Sequence, residues 1–366
     1  MILPGDAAQS IAAAEKSIRS GGLLGLPTET VYGLAADADN DAAVAKIFKA
    51  KGRPADHPLI VHVADVSAVA HYVAEVPEFA KRLMTAFWPG PLTFILPRRP
   101  GVANAASGGN PTIGLRCPSH PVAQALLQAL LYGGQIPTIS EQDTSVAQTP
   151  DSKQLESDPR CFKVWGLAAP SANQFGRVSP TTASHVQGEF GEELLILDGG
   201  PCEVGIESTI IDCSRGAPVL LRPGAITPEQ VQASCGLKVL SKEDMQKLDT
   251  PAPKASGTLE SHYAPSATVR IMTAKELQTA LKLLGQDTGL KGASPTIALY
   301  CRCMFPIKTP HVLYRRMPVD AAAAAQELFA VLREFDERGV KLIWVESLPE
   351  TQEWDGVRDR LERAAG

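Results

Sequence analysis

Hydrophobic positions at the start of the chain alternate between helical and strand-like spacing. Ile11, Ala14 and Ile18 recur at helical spacing between Ala7 and Ser20, and Gly21-Gly22 closes that pattern. Leu23 to Leu26 is a short apolar run, read as a buried strand, that leads into Pro27. A second helix is predicted from Asn40 or Asp41, either of which can cap it, through Val44, Ile47 and Phe48 to a stop at Gly52 and Pro54. Leu59 to Val63 is strand-like again. Between Pro27 and His62 the chain reads P-T-E-T-V-Y-G-L and then K-G-R-P-A-D-H-P-L-I-V-H. Thr28, Glu29, Thr30, Tyr32, Lys51, Arg53, His57 and His62 thus crowd two apolar runs short enough to be buried strands. Few structural segments need so many polar groups beside a core. This stretch is read as the first wall of an anion-binding active site.

The alternation continues downstream. Asp65 can cap a helix holding Val69 and Tyr72, Pro77 to Phe87 is helical, and W-P-G-P-L-T-F-I-L-P turns into a strand. Gly101 to Asn110 is rich in small polar residues and predicts an exposed loop before the strand Thr112 to Arg116. Pro121 to Leu131 is an apolar helix. From Gly133 to Arg160 the sequence is polar and aperiodic, a long surface insertion. The strand Val164 to Ala168 then opens onto A-P-S-A-N-Q-F-G-R-V-S-P-T. A helix (Thr182 to Phe190), three strands (Leu194 to Leu197, Ser208 to Ile211, Val219 to Leu221) and a short helix capped by Thr227 follow.

Ser241 to Pro265, with three prolines and a glycine among charged residues, has the composition of a linker. Beyond it, strands at Thr268 to Met272, Thr296 to Tyr300, Val312 to Tyr314 and Lys341 to Val345 alternate with helices at Lys275 to Leu284, Asp320 to Arg338 and the C-terminus. That pattern predicts a small α/β unit with a largely parallel sheet. The expected division is 1–240, carrying the insertion at about 133–160, then a linker at 241–265 and a second unit at 266–366.

Composition narrows the function classes. A chain of 366 residues accommodates two domains, and 44% hydrophobic with 20% charged residues argues against disorder. Aromatic content of 5% disfavours a base-stacking surface, and a net charge of −5 gives no global attraction to nucleic acid or anionic membrane. No apolar run reaches membrane-spanning length and the start, M-I-L-P-G-D, lacks signal-peptide regions, so a cytoplasmic location is expected. The seven cysteines form no C-x-x-C, and the C-x-C at Cys301 and Cys303 reads more simply as two half-buried thiols than as a metal site.

Several groups can carry phosphate chemistry. Lys51 and Arg53 fall where a helix ends and a turn precedes a strand, so both can point into a cleft at the sheet edge. Arg supplies a planar fork and Lys a compact charge, although K-G-R alone also describes a solvated helix end. No Walker motif and no credible G-x-G-x-x-G occur. The cradle candidates are the hydroxyl-rich turns P-T-E-T, P-S-A-N and E-S-T, each at a strand end where α/β sites gather. Arg116 and Arg222 each close an apolar strand, which fits either carboxylate capture or a structural ion pair. His62 lies on an apolar strand, where a core role competes with a functional one. No Ser-His-Asp spacing is readable, so positioning and charge neutralisation are expected to dominate.

Together P-T-E-T-V-Y-G-L, K-G-R-P with P-L-I-V-H, W-P-G-P-L-T, I-G-L-R-C-P, A-P-S-A-N, I-E-S-T-I-I-D and L-R-P-G-A-I resemble the YrdC family, the threonylcarbamoyl-AMP synthases. The later H-Y-A-P and the α/β segment beyond it resemble the two-domain form. The resemblance implies a YrdC-like twisted mixed sheet with helices, plus a smaller Rossmann-like α/β unit. It implies a nucleotidyltransferase that joins L-threonine, bicarbonate or CO2 and ATP into threonylcarbamoyl-AMP and pyrophosphate. A partner transferase system then uses the product on tRNA.

Carried across by motif, Lys51, Arg53, Ser171 and Asn173 match the family's K-x-R and S-x-N tetrad and would hold the ATP phosphates, with Mg2+ sharing the neutralisation. His57, Thr112, Ser179, Arg222 and Tyr263 match nucleotide-side positions. Thr30, His62, Arg116 and Thr209 match the threonine pocket, Arg116 facing the amino-acid carboxylate. No resident protein-bound metal is implied. Three departures stand out: His57 replaces the usual Asn, the linker before H-Y-A-P lacks basic residues, and the insertion is longer than usual. A non-catalytic module for tRNA or double-stranded RNA is the competing class. A carbamoyl-adenylate-forming maturation domain would need acylphosphatase and zinc-finger-like segments that the chain lacks.

Overall fold

The computed structural model describes residues 1–133, 163–241, 244, 253, 263–286, 296–302 and 311–366. The expected insertion and nearly all of the expected linker therefore lie outside the described residues, as do Cys161, His262 and Cys303. Two sheets organise the rest. The first runs in chain order through β1 (Ile2–Pro4), β2 (Leu24–Leu26), β3 (Gly33–Asp37), β4 (Ile60–His62), β5 (Leu92–Pro97), β6 (Thr112–Arg116), β7 (Leu167–Ala168), β8 (Leu195–Asp198), β9 (Thr209–Asp212) and β10 (Val219–Arg222). Its spatial order is β1-β8-β2-β3-β7-β4-β6-β5-β9-β10, with parallel and antiparallel pairs mixed. The second comprises β11 (Thr268–Met272), β12 (Ile297–Cys301), β13 (Val312–Arg316) and β14 (Leu342–Glu346) in the order β11-β14-β12-β13, all parallel.

The helices follow the hydrophobic pattern. They are α1 (Ala8–Arg19), α2 (Asp41–Lys51), α3 (Val69–Tyr72), α4 (Glu78–Phe87), α5 (Pro121–Tyr132), α6 (Ala183–Phe190), α7 (Pro228–Cys235), α8 (Ala274–Gln286), α9 (Ala321–Glu337) and α10 (Asp355–Ala365). Asn40 caps α2 by accepting from the Ala43 amide, and Thr227 with Gln230 forms a capping box on α7. Among the described residues no helix is long and apolar enough to cross a membrane.

Two expectations need correction. Gly101 to Asn110 is not an exposed loop, since Ala103, Ala106 and Ser107 are buried. Asp39 and Asp41 accept from the amides of Ala103 and Ala105, and the Ala106 carbonyl accepts from Leu59, so the start of α2 and the entry to β4 stitch the loop down. β1, a three-residue strand paired with β8, carries too few residues for any period to announce it. The expected strand at Val164 also shortens to Leu167–Ala168.

One core fills the first sheet and its helices. A second core is shared between the two sheets' territories. Val31, Val178, Ile206 and Tyr263 pack in the same cluster as Phe329, Leu328, Trp354, Val357 and Leu361 of the C-terminal part. The approach is close. A Cβ at Gly205 would fall 2.4–2.5 Å from backbone atoms of Ala325 and Gln326, and one at Gly356 would fall 2.8 Å from Ile206 Cδ1.

Candidate active site

The end of α2 is a Schellman turn. Gly52 adopts φ +62, its amide bonds the Lys49 carbonyl, and the Arg53 amide reaches back to the Phe48 carbonyl. The left-handed φ asks for glycine, and the reversal sends Arg53 back toward the sheet. Lys51 remains on the last helical turn and is buried. Its Nζ donates to the carbonyls of Ser171 (2.6 Å) and Asn173, while its own carbonyl accepts from Phe175. Asn173 completes the turn by donating from Nδ2 to the carbonyls of Gln174 (2.7 Å) and Arg177 (3.0 Å). K-G-R and P-S-A-N are thus one folded unit, with the lysine as its cross-brace.

A cleft opens beside this unit. Among its lining residues, β4 and β6 pair in parallel with His62 beside Arg116, so the two side chains emerge as neighbours. Arg116 donates to Thr30 Oγ1 at 2.7 Å and lies 2.7 Å from Glu29 Oε1, a buried ion pair. Thr28 Oγ1 sits 3.0 Å from Thr30 Oγ1 and receives the Thr30 amide, which fixes the P-T-E-T turn. Arg53, Ser171, Glu207, Ser208, Arg222 and Tyr263 line it as well. Arg222 forks onto the Ser208 carbonyl at 2.9–3.0 Å and Ser208 Oγ at 3.1 Å. Arg53 lies over the Phe175 ring and donates to the Pro58 carbonyl.

Sequence-predicted residues divide accordingly. Thr30, Arg53, His62, Arg116, Ser171, Arg222 and Tyr263 line the cleft. Lys51 and Asn173 stand behind it as the brace just described. Ser179 is buried and donates to Glu207, and Thr209 Oγ1 is engaged with Ile226. His57 packs its ring 5.7 Å from that of Phe175, and Thr112 is half-buried at the start of β6; neither lines the cleft. Glu207 and Ser208 were legible only as part of a cradle turn. Arg360, which reaches Glu207 from α10, had no sequence signal at all.

Burial sets the charges. Desolvation, then the nearby Arg116, pushes His62 down to about 3, so its imidazole is neutral at physiological pH. Desolvation with help from Arg53 brings Lys51 down to about 7, and desolvation brings Arg53 down to about 10. Burial raises the Glu207 carboxyl, but Arg360, Arg222 and Ser179 outweigh it and hold it below the ordinary range. Tyr263, a bulky residue at φ +63, is fully buried with its phenol pushed up to about 12 by desolvation. Non-glycine residues persist in that backbone region where surrounding structure over-determines them, often beside functional sites. Among the described residues no group of three or more His, Cys, Asp or Glu is placed to hold a metal ion.

Comparison with known proteins agrees with this architecture. The Sua5/YciO/YrdC family model, described as telomere recombination, matches residues 16–224, and the threonylcarbamoyl-AMP synthase C-terminal domain model matches 226–366. The chain is 36% identical to a threonylcarbamoyl-AMP synthase of Bacillus subtilis over 97% of this chain and 93% of that one. It is 35% identical to one from Pyrococcus abyssi over 95% and 92%. A crystal structure of P. abyssi Sua5 complexed with L-threonine superposes with a TM-score of 0.78 at 32% identity, covering 100% of this chain and 97% of that one.

Proposed function

The chain belongs to the threonylcarbamoyl-AMP synthase family in its two-domain form, and on that premise we propose how its cleft divides the work. The enzyme is a nucleotidyltransferase whose product serves threonylcarbamoyladenosine modification of tRNA. L-Threonine occupies the end built from Thr30, His62 and Arg116; ATP occupies the end built from Arg53, Ser171 and Arg222, with Lys51 and Asn173 bracing the phosphate turn. The observation that carries this reading is one cleft lined by two sets of cations, Arg116 beside a hydroxyl and a neutral imidazole, Arg53 and Arg222 beside hydroxyl-rich turns.

The threonine carboxylate binds the Arg116 fork and shares it with Glu29. Neutral His62 adds no second charge there. The threonine amine adds to CO2 with loss of a proton, or condenses with bicarbonate with loss of water, to give a carbamate. A carbamate oxygen then bonds the α-phosphorus of ATP as the bond from that phosphorus to the bridging oxygen breaks, and pyrophosphate leaves with the electron pair. Arg53, Arg222 and Lys51 offset the charge that develops, and alignment supplies much of the remaining rate. Mg2+ carried on the nucleotide would add neutralisation.

We divide the chain into a catalytic unit at 1–240, a linker at 241–265 and an accessory unit at 266–366. Supporting the first boundary, α7 packs against α4 and Leu240 bridges Val219 on β10, so both belong with the first sheet.

The decisive experiment follows pyrophosphate release with ATP, Mg2+, bicarbonate and each amino acid. Release should require L-threonine and bicarbonate together, and its absence would sink the proposal. Serine, one methyl smaller, should be used on the order of 10 to 200-fold less efficiently. A second outcome concerns protons. Lys51 sits near half-charged at neutral pH, and phosphate anions nearby favour its charged form, so nucleotide binding at pH 8 should take up protons. Affinity should weaken as pH rises through about 7. Calorimetry in buffers of different ionisation enthalpy reads the uptake directly; equal heats at pH 8 would contradict it.

A further inference from the structure

The nucleotide end of the cleft contains a carboxylate, Glu207, where an anionic substrate is expected. A buried carboxylate facing phosphates would repel them strongly, because the low-dielectric surroundings screen little. Its charge is met first by Arg360 of the other unit, which also pairs with Asp359 at 3.0 Å, and then by Arg222. Arg360 of α10 is fully buried and its Nε donates to Glu207 Oε2 at 3.0 Å. The same guanidinium donates from Nη2 to the Glu207 carbonyl at 2.9 Å and from Nη1 to the Pro223 carbonyl at 2.6 Å. One side chain therefore ties the E-S-T turn, which carries Ser208, to the L-R-P-G turn, which follows Arg222. Its guanidinium carbon also lies 5.5 Å from the Tyr263 ring centroid, within cation–π range. With one Glu207 oxygen held by Arg360, the other accepts from Ser179.

We propose that Arg360 is a positioning residue for the nucleotide, supplied by the accessory unit: it neutralises Glu207 and fixes the two turns that present Ser208 and Arg222. The accessory unit thereby forms part of the nucleotide wall although its helices do not line the cleft. The proposal rests on the assignment of this end to ATP. Arg333 of α9 shows that the two units are tied elsewhere as well, through the Val178 and Ser179 carbonyls and Glu189. Docking of the units therefore does not depend on Arg360 alone. That redundancy separates the electrostatic role from a purely mechanical one.

The test uses the full chain and compares wild type, Arg360→Met and the double variant Arg360→Met with Glu207→Gln. For R360M the KM for ATP should rise tenfold or more, while the Kd for L-threonine measured without nucleotide stays within twofold. Removing the carboxylate charge in the double variant should recover most of the ATP KM. Two results would overturn the proposal. One is an ATP KM for folded R360M within threefold of wild type. The other is loss of both substrates in parallel with no recovery in the double variant, the signature of a strut. If R360M fails to fold, Arg360→Lys carries the test: it keeps the charge but not the fork, so the ATP KM should rise several-fold with threonine binding intact, and an unchanged ATP KM overturns the proposal. Wild-type protein without threonine-dependent pyrophosphate release would instead remove the ATP assignment itself.

Discussion

Lys51→Ala is expected to slow threonine- and bicarbonate-dependent pyrophosphate release by about 10^2 to 10^3-fold, the effect typical of losing one group that stabilises transition-state charge. Two losses combine. The cation behind the phosphate turn disappears, and the carbonyls of Ser171 and Asn173 lose the ammonium that holds them. The Ser171 carbonyl keeps the Asn173 amide, but the Asn173 carbonyl loses its ammonium donor at a cost of about 1–3 kcal/mol, so the turn should relax as well as lose charge. Threonine binding without nucleotide should survive, because Arg116 and His62 hang from β6 and β4 and Thr30 from the turn after β2, all apart from the Lys51 brace. Single-turnover rates with threonine titrations separate the two effects, and an unchanged rate would remove Lys51 from the role given to it.

Arg116→Ala should weaken L-threonine binding by about 30-fold or more, since truncating one partner of a buried hydrogen-bonded charge pair costs about 2–5 kcal/mol. It should also destabilise the fold. Glu29 would be left as a buried carboxylate without its counter-ion, at a cost of about 3–5 kcal/mol. Adding Glu29→Gln should restore much of the melting temperature without restoring threonine binding. Calorimetric titration and a thermal melt on both variants check this. Recovered threonine affinity in the double variant would mean that Arg116 serves the fold rather than the substrate.

Much of the architecture was legible in the sequence. Asn40, Gly52 and Thr227 punctuate helices through local hydrogen bonds, so their signals survive without tertiary information. The parallel accessory sheet followed from alternating periods. β1 could not be read, because its three residues gain their place only from β8, which lies far along the chain. The buried state of Ala103 to Ser107 was hidden for a related reason: aspartates on another segment satisfy that loop's amides.

The site was legible in its residues and less so in its geometry. K-G-R and P-S-A-N were visible as cations and hydroxyls at strand ends, but not the fact that Lys51 braces the second motif. Glu29 was seen as a carboxylate in a cradle turn, whereas its pairing with Arg116 depends on a contact 87 residues apart. Arg360 lies in R-D-R-L-E-R, which reads as an ordinary charged helix face. Nothing local distinguishes the one arginine that turns inward.

The shared second core has a thermodynamic consequence. Val31 adjoins Thr30, Val178 adjoins Ser179 and Ile206 adjoins Glu207, so three positions flanking the cleft are anchored among side chains of α9 and α10. The accessory unit cannot come away without exposing those apolar anchors, and this couples the folding of the two units. The rigidity needed to aim reacting groups is therefore a property of the whole cooperative unit. A packing defect deep in α9, far from either substrate, loosens the same framework that holds the cleft in register.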